Sequence, residues 1–550
     1  MDIIISKIQS VVYAFGPFII LLGFLIFVHE LGHFLVAKWC GVRVEVFSLG
    51  FGKKILQYKR GDTNYCISLI PLGGYVKMFG DELGSQIEEK DRAFSFTHKK
   101  LWQRFAVVLA GPMMNCLFAI LIFSVVGLMG EEVRRPVLGD ILEGSAAFSA
   151  GFRSGDEILA VNSSEVKTWD QFQELLDGSV NSKTNFTVKR NSSEQTVAVE
   201  ATPTLKANEN LLSMHQYIGD VDGFSQGSKA AYIGVVKGSQ AEVMGLMIGD
   251  RIISINSQPV NYFRELENLF IVQQGKSAEI EIERGLDKDA KIMKVTGTIP
   301  PHSSLGALGI ESPDLYLAKI IEDSPAAIAG LLPGDKIVRV STVEPKKWED
   351  VLNTVKNYKG EGTVQFGVVR QGQEKLFDIV PKMASHMNHQ GGEEKRFTIG
   401  IMPWIQNAPP ALALVKTSGF SETLAHGWKK TYDITGMTIL SFVRLIQGSI
   451  SPKNIGGVLS IGQAASETFK TGLNHFLQLM AVISVNLFVI NLFPVPVLDG
   501  GHLLFYAIEG LRGAPLSMRK MEIAQQVGLV VLMSLMALSL FNDVTRLFGF

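Results

Sequence analysis

The sequence predicts a polytopic α-helical membrane protein that carries three inserted α+β domains. Four apolar stretches, two near each end of the chain, are long enough to cross a bilayer, which takes about 20 apolar residues. Between them, from about residue 134 to residue 403, one pattern of small, glycine and β-branched residues occurs three times. We therefore expect four transmembrane helices at the ends of the chain and folded domains in its middle.

The loops beside these apolar stretches predict how the chain crosses the membrane. The loop between the first two stretches is rich in Lys and Arg, and the connection between the last two contains Arg512, Arg519 and Lys520. Because short cytoplasmic loops are enriched in these residues, we expect both loops in the cytoplasm and the N-terminus and middle region across the membrane. The expected transmembrane helices run from Phe15 to Cys40, Phe105 to Met129, Leu473 to Phe493 and Ala524 to Phe541.

Composition agrees with a membrane protein. Hydrophobic residues make up 47% of the 550 residues and charged residues 19%, whereas an ordinary soluble chain has about 25% charged residues. The net charge of −1 gives no indication of a nucleic-acid partner. Cys40 and Cys116 lie in the first two apolar stretches and Cys66 lies in the loop between them, so we expect no disulfide framework in the middle region.

The repeated pattern reads S-x-A-x-x-x-G-φ-x-x-G-D, followed by a run of β-branched residues, and its copies begin at Ser145, Ser239 and Ser324. Small residues followed by glycine predict a short helix that ends at the glycine, and Gly-Asp predicts a tight turn into a strand. A second marker is expected near the end of each copy. These markers are Ile218-Gly219, Leu308-Gly309 and Ile399-Gly400, about 90 residues apart, which is the size of a small domain.

The first apolar stretch contains His29-Glu30-Leu31-Gly32-His33. On a helix, His29 and His33 lie one turn apart on the same face, where two imidazoles can hold one Zn²⁺. Glu30 is then placed to accept a proton from water at the metal. A lone buried histidine is usually structural, but three ionisable groups inside one apolar span are costly in lipid, and this favours a catalytic zinc site.

A catalytic zinc needs a third protein ligand, because such sites have three protein ligands and one open position. The preferred candidate is Asp499, in the segment from Asn491 to His502, on the expected cytoplasmic side of the membrane. Two prolines interrupt this segment, and irregular backbone at membrane depth is tolerated only beside a cavity or within protein. Cys116 and His475 are weaker ligand candidates.

Residues 41–80 predict a β-hairpin beside the active site. Val42–Val46 and Tyr65–Leu69 are strand-like, with Gly50-Phe51-Gly52 as the expected turn. The expected reaction at the zinc is hydrolysis of a peptide bond. In a substrate that is itself a membrane helix this bond is shielded by the helix's own hydrogen bonds, so the helix must unwind. The edge of a strand can then bind the unwound segment in extended form. A simple cytoplasmic connector is the alternative. The residues expected to contact substrate are Gly73, Gly74, Asn115 and Asn491.

These motifs together resemble the site-2 protease family of intramembrane zinc metalloproteases, and within it the bacterial proteases that regulate sigma-E. The repeated pattern resembles the PDZ domains found in bacterial proteases. The motifs that carry the resemblance are HELGH at 29–33, LGFG at 49–52, PLGGYVK at 71–77, GPxxN at 111–115, PKNIGG at 452–457, NLFPVPVLDGGH at 491–502 and ALSLFND at 537–543.

The resemblance implies zinc on His29, His33 and Asp499, with Glu30 as the base and Asn491 near substrate. It also implies a membrane-associated hairpin loop at about 43–78 and an amphipathic segment at about 422–462. The implied domains are residues 1–133 (transmembrane helices 1–2 and the β-loop), 134–222, 223–312 and 313–404 (PDZ-like), 405–470 (amphipathic segment) and 471–550 (transmembrane helices 3–4).

The resemblance further implies regulated intramembrane proteolysis in a bacterial inner membrane, with the PDZ-like domains in the periplasm. The implied partners are single-span membrane proteins, such as an anti-sigma factor already trimmed by another protease, and leftover signal peptides. Relatives have two PDZ domains, whereas three copies are expected here, so substrate selection can differ.

Two other functions are compatible with these features. One is a catalytically silent membrane scaffold that presents PDZ-like domains, although such a protein would be expected to have lost its metal ligands. The other is a zinc protease that cuts soluble peptides near the membrane surface. The repeats themselves fit either peptide binding or steric shielding.

Overall fold

The computed structural model describes residues 2–81, 87–190, 195–208, 210–285, 290–387 and 393–548. The chain forms two compact units, and the repeated region lies in the second. The first unit comprises Met1–Glu132, Asn210–Met214 and Leu414–Phe550, and the second comprises Val133–Glu209 and His215–Ala413.

The elements of the described chain are as follows. The α-helices are α1 (Asp2–Trp39), α2 (Leu101–Met129), α3 (Ala146–Ala150), α4 (Trp169–Asp177), α5 (Gln240–Val243), α6 (Leu266–Val272), α7 (Leu305–Leu308), α8 (Pro325–Ala329), α9 (Trp348–Lys356), α10 (Phe420–Ile446), α11 (Val458–Thr471), α12 (Leu473–Leu492), α13 (Asp499–Arg512) and α14 (Met518–Phe548). The strands are β1 (Val44–Arg60), β2 (Thr63–Met78), β3 (Glu131–Arg134), β4 (Glu157–Val161), β5 (Ser164–Glu165), β6 (Thr184–Lys189), β7 (Thr196–Ala201), β8 (Thr204–Ala207), β9 (Tyr217–Asp220), β10 (Gly234–Val235), β11 (Arg251–Ile255), β12 (Gln258–Pro259), β13 (Ser277–Arg284), β14 (Lys291–Thr298), β15 (Ile310–Glu311), β16 (Leu317–Ile320), β17 (Lys336–Val340), β18 (Val364–Arg370), β19 (Gln373–Ile379), β20 (Lys382–Met387), β21 (Glu393–Thr398), β22 (Ile401–Pro403) and β23 (Leu412–Val415).

Four helices in the described part of the chain are long and apolar enough to cross a membrane, as the sequence predicts. Helix α2 begins at Leu101 rather than at Phe105, because the Gln103 side chain accepts a hydrogen bond from the backbone N–H of Lys100 and caps the helix there. The four spans are Phe15–Trp39, Leu101–Met129, Leu473–Leu492 and Met518–Leu547.

Helix α2 is the centre of the first unit, since α1, α10, α12 and α13 all pack against it. Glycines permit two of these crossings. A Cβ atom on Gly32 of α1 would lie 2.3 Å from the carbonyl oxygen of Ala110, and one on Gly427 of α10 would lie 2.4 Å from that of Ile120. Because backbone atoms cannot move aside, these glycines set how closely the helices approach.

The amphipathic segment expected at about 422–462 is two helices, α10 and α11, with an irregular stretch between them. Helix α11 is capped from a distance by Asp543 of α14. The Asp543 carboxylate accepts hydrogen bonds from the backbone N–H groups of Gly457 and Leu459, both at 2.9 Å. The PKNIGG and ALSLFND motifs therefore meet in the fold, as an N-terminal cap supplied by another helix.

Strands β1 and β2 form the expected antiparallel hairpin, but the predicted turn is wrong. The chain reverses between Arg60 and Thr63, while Gly50-Phe51-Gly52 lies inside β1. Gly50 and Gly52 have φ values of +87° and +83°, which L side chains rarely adopt, and the strand bends there. Because of this bend, residues 46–49 pair with two different segments of β2.

The second unit contains three copies of one arrangement, each with its own hydrophobic core. The short helices α3, α5 and α8 begin at the predicted serines, and strands β4, β11 and β17 follow the Gly-Asp turns, as the pattern predicts. The largest buried side chains of the first copy include Phe152, Phe172 and Phe186. The three cores span residues 138–221, 231–310 and 317–399.

Each copy contains the same ion pair. It joins the buried aspartate of the Gly-Asp turn to an arginine at the end of a strand in the same copy. In the third copy the Arg370 guanidinium donates two hydrogen bonds of 2.7 Å to Asp335 and a third to the Gly330 carbonyl oxygen. The aspartates have at most 1% of their side chains exposed. The three pairs are Asp156–Arg190, Asp250–Arg284 and Asp335–Arg370.

The second sequence marker is correct in two copies and misplaced in the first. Gly309 and Gly400 lie against the serines that begin α5 and α8, where a Cβ atom would be 2.1 and 2.2 Å from the serine Cβ. In the first copy the glycine in this position is Gly223, against Ser145, and not Gly219. Gly219 instead packs against the backbone of Leu176.

Candidate metal centre

The structure brings together the three residues predicted to hold zinc. The Nε2 atoms of His29 and His33, one turn apart on α1, lie 3.2 Å from each other. The Asp499 Oδ2 atom lies 3.1 Å from the first and 3.5 Å from the second. In the described part of the chain they are the group of three potential metal ligands whose donor atoms converge.

These separations fit a tetrahedral zinc ion. Zinc binds imidazole nitrogen and carboxylate oxygen at about 2.0–2.2 Å, so two ligands at a tetrahedral angle are about 3.3–3.5 Å apart. The Asp499 Oδ2 atom is buried and accepts no hydrogen bond from the described residues. A buried anionic oxygen without a hydrogen bond is energetically costly. A cation bound between this oxygen and the two imidazole nitrogens would remove that cost.

Asp499 reaches the histidines because it is the first residue of α13. The preceding turn, which contains Pro494 and Pro496, folds back tightly on the start of this helix. A Cβ atom on Gly500 would lie 2.2 Å from the Phe493 carbonyl oxygen, and one on Gly501 would lie 2.4 Å from the Pro496 Cα. The Asp-Gly-Gly sequence therefore allows a carboxylate at the helix N-terminus, where the helix dipole also favours negative charge.

Helix α2 orients the second histidine. The His33 Nδ1–H group donates a 2.8 Å hydrogen bond to the Val107 carbonyl oxygen, which leaves Nε2 free to bind a metal. Gly111 lies one turn further along α2, and a Cβ atom there would be 2.3 Å from His33 Nε2. The Gly-Pro motif thus makes room for the ligand ring.

Glu30 and the Gly-Gly segment of β2 lie beside this centre. Glu30 interacts electrostatically with His29, His33 and Asp499, and its carboxylate lies near the backbone of Val76 in β2. A Cβ atom on Gly74 would come 3.3 Å from the Glu30 Cγ atom and 2.9 Å from the Ser48 carbonyl oxygen. Glycine at this position lets β2 approach α1 closely.

The remaining candidates lie elsewhere or remain predictions. His475 is in the first turn of α12, at the opposite end of that 20-residue helix from the Asp499 turn, and neither it nor Cys116 belongs to the converging group. Gly73 lies against the Phe51 ring. Asn491 is half-buried in the last turn of α12. Asn115 is fully buried on α2, beside His29.

Sequence reasoning missed an ion pair that fixes α13 to α2. The Arg104 guanidinium donates hydrogen bonds of 2.5 and 3.2 Å to the Glu509 carboxylate, and both side chains are about five-sixths buried. Arg104 also lies over the Tyr506 ring, 5.0 Å from its centroid. The sequence does show an arginine at the start of an apolar helix, which indicates an ion pair. Nothing in the sequence identifies its partner, which lies 405 residues later.

The chain is thus a multi-pass membrane protein in which a His-Glu-x-x-His motif lies beside an aspartate, a group of side chains that could hold a metal ion. The chain belongs to Peptidase family M50, whose profile matches residues 17–535. It is a zinc metalloendopeptidase of the site-2 protease type, since relatives along nearly its whole length are named as such proteases.

Three bacterial relatives illustrate the similarity. The Yersinia pestis protease RseP is 32% identical over 98% of this chain and 100% of its own length. A protein named as a zinc metalloprotease from Neisseria meningitidis is 32% identical over 97% and 99%. The regulator of sigma-E protease RseP from Escherichia coli is 31% identical over 98% and 100%.

Among solved structures, a PDZ domain protein from Parabacteroides distasonis aligns with 49% of this chain and 95% of its own, at 10% identity. Its TM-score is 0.13, and a similarity this weak does not establish a shared fold.

Proposed function

We propose that this protease cuts peptide bonds inside the membrane segments of single-span proteins. The observation that carries the proposal is the convergence of His29, His33 and Asp499, with Glu30 beside them, at the base of a helix that is apolar enough to cross the membrane. A protease for soluble substrates would have no need to place four ionisable groups there, because each is costly in lipid.

In this mechanism His29, His33 and Asp499 would hold Zn²⁺, which would supply acidification of the attacking water and polarisation of the scissile carbonyl. Glu30 accepts a proton from that water and transfers it to the leaving amine nitrogen, so no covalent intermediate with the enzyme is formed.

Strand β2 supplies the clamp for an unwound substrate. Residues 74–78 pair with β1, and Gly74 within them lies close to Glu30 of α1. A substrate segment held in extended form beside Gly73 and Gly74 exposes its peptide groups to the metal centre, as strand addition does in other peptide complexes. We propose Asn491 as a further substrate contact and a membrane location for the hairpin.

The names of the relatives suggest the substrate class. The Escherichia coli relative is named regulator of sigma-E protease RseP. We propose that this chain cleaves an anti-sigma factor after a first cut, together with leftover signal peptides. We propose that the three copies of the second unit are PDZ-like domains in the periplasm that admit only trimmed substrates, and that the metal centre faces the cytoplasm.

Glu30→Gln tests the reaction. The variant keeps the three ligands but loses the base, so cleavage of a single-span reporter in reconstituted membranes is expected to fall by about 10²–10⁴-fold, with zinc content unchanged. A proteomic comparison with wild type should show single-span fragments accumulating in the variant cells. Unchanged reporter cleavage by the variant would contradict the role of Glu30 as the base. Absence of cleavage by the wild-type protein would favour a catalytically silent scaffold, and cleavage of soluble peptides alone would favour surface proteolysis.

A further inference from the structure

Helix α2 presents three residues to the two ligand histidines, spaced four apart and therefore on one helix face: Val107, Gly111 and Asn115. The first accepts the His33 hydrogen bond and the second provides room for the His33 ring. The third lies against His29, with its amide Nδ2 atom 3.3 Å from His29 Nδ1.

In the contact between Asn115 and His29, two hydrogen-bond donors face each other. The His29 Nε2 atom faces His33 and Asp499 as the metal-binding atom, so the proton of the neutral ring is on Nδ1. That N–H group then points at an amide NH₂ group, while the Asn115 Oδ1 atom is buried without any hydrogen-bond partner in the described chain. Amide oxygen and nitrogen exchange places when the Asn115 side-chain amide is turned by half a rotation. Turning it puts the Oδ1 atom beside the His29 Nδ1–H group, so that the two form a hydrogen bond.

We infer that Asn115 is a positioning residue for the metal ligand His29, with its Oδ1 accepting a hydrogen bond from His29 Nδ1–H. This inference rests on the zinc site of the proposed function. It replaces the expectation of a substrate contact, since no part of Asn115 is exposed. The Ser484 hydroxyl of α12 donates a 2.8 Å hydrogen bond to the Asn115 backbone carbonyl and fixes α2 at this residue.

The consequence is that α2 orients both imidazoles, one through a backbone carbonyl and one through a side chain. A backbone acceptor is available at any residue, but a side-chain acceptor depends on the residue type. A single side-chain substitution can therefore remove the hydrogen bond that orients the His29 ring, but not the one that orients the His33 ring. Loss of such an outer partner typically weakens metal binding by about 10–100-fold.

Zinc affinity of the purified full-length protein in detergent, measured by competition with a chromophoric chelator, tests this role. Asn115→Leu keeps the volume and removes the acceptor, so its dissociation constant for zinc should rise by about 10–100-fold. Asn115→Asp keeps an acceptor of the same size and should bind zinc at least as tightly as wild type. Asn486→Leu is the control, because Asn486 is a half-buried asparagine of α12 that accepts a hydrogen bond from Thr438 of the neighbouring helix α10; its zinc affinity should not change.

Unchanged zinc affinity in Asn115→Leu together with a raised KM would overturn the inference and restore the role in substrate binding. If the leucine variant does not fold, zinc binding by Asn115→Asp that is tenfold weaker than wild type would overturn it instead. His29→Ala separates this result from the proposed function. Loss of zinc in His29→Ala but not in Asn115→Leu contradicts only the present inference, whereas zinc retained in His29→Ala contradicts the metal centre itself.

Discussion

The two units of the molecule bury their polar groups in different ways. In the second unit each copy uses one local device, the aspartate of a Gly-Asp turn paired with an arginine 34 or 35 residues later. In the first unit no such repetition occurs among the described residues. Its pairs join distant elements, such as Arg104 with Glu509, Asp543 with the start of α11, and Asn115 with His29.

This difference reflects what each unit does. The repeated unit has three small cores that can each be stabilised from within. In the first unit the side chains of the candidate metal centre come from α1 and α13, and α2 contacts both helices. A local change should therefore have local effects in the second unit, and effects at the metal centre in the first.

The largest expected effect is in the second unit. Asp250→Ala leaves the Arg284 guanidinium without its carboxylate and should destabilise the second copy by about 3 kcal/mol. Proteolysis of the full chain should then cut within residues 231–310, while zinc affinity stays unchanged. Glu279→Ala is the matched control in the same copy, because its pair with Lys294 is exposed and worth about 0–1 kcal/mol. A loss of zinc affinity in Asp250→Ala would show that the copies are not local in their effects.

The Arg104–Glu509 pair offers the next largest effect. Arg104→Glu places two carboxylates together and separates α13 from α2, so zinc affinity and reporter cleavage should each fall by about tenfold, which corresponds to about 1.4 kcal/mol. Exchanging the charges, with Arg104→Glu and Glu509→Arg in one chain, should restore most of both. If the exchanged pair stays as weak as the single variant, the ion pair does not set the position of Asp499.

The smallest effect is a pH dependence near the end of α2. Burial raises the pKa of Glu131, but the ion pair with His426 and the hydrogen bond and charge of Lys430, both on α10, outweigh it and hold the pKa below its usual value of 4.5. The ionised carboxylate therefore stabilises the folded state above that value, and this contribution is lost as the pH falls through the lowered pKa.

Thermal unfolding of wild type and Glu131→Gln at pH 6 and at pH 3.5 measures this contribution. At pH 6 the wild-type protein should be more stable than Glu131→Gln, and this difference in stability between the two proteins should be smaller at pH 3.5. A difference that is equal at the two pH values would mean that Glu131 acts by packing alone.

Much of the fold was predictable because its signals are local. The four apolar spans depend on length and composition, and the helix-turn-strand pattern of each copy depends on residues within about 20 positions. The errors were also local. Gly50-Phe51-Gly52 is a bend within a strand. The Ile-Gly marker of the first copy indicates Gly219, which lies within β9, whereas the glycine that packs against Ser145 is Gly223.

The sequence by itself determined the chemistry of the centre: two histidines one helical turn apart, a glutamate beside them, and an aspartate after a proline-containing turn. The tertiary structure alone decided the partners, namely that Val107 and Asn115 face His33 and His29 and that Arg104 meets Glu509. The physical reason is that spacing along one helix fixes which side chains share a face. Which group lies opposite that face depends on how closely the helices cross, and glycines such as Gly32 and Gly111 set that distance.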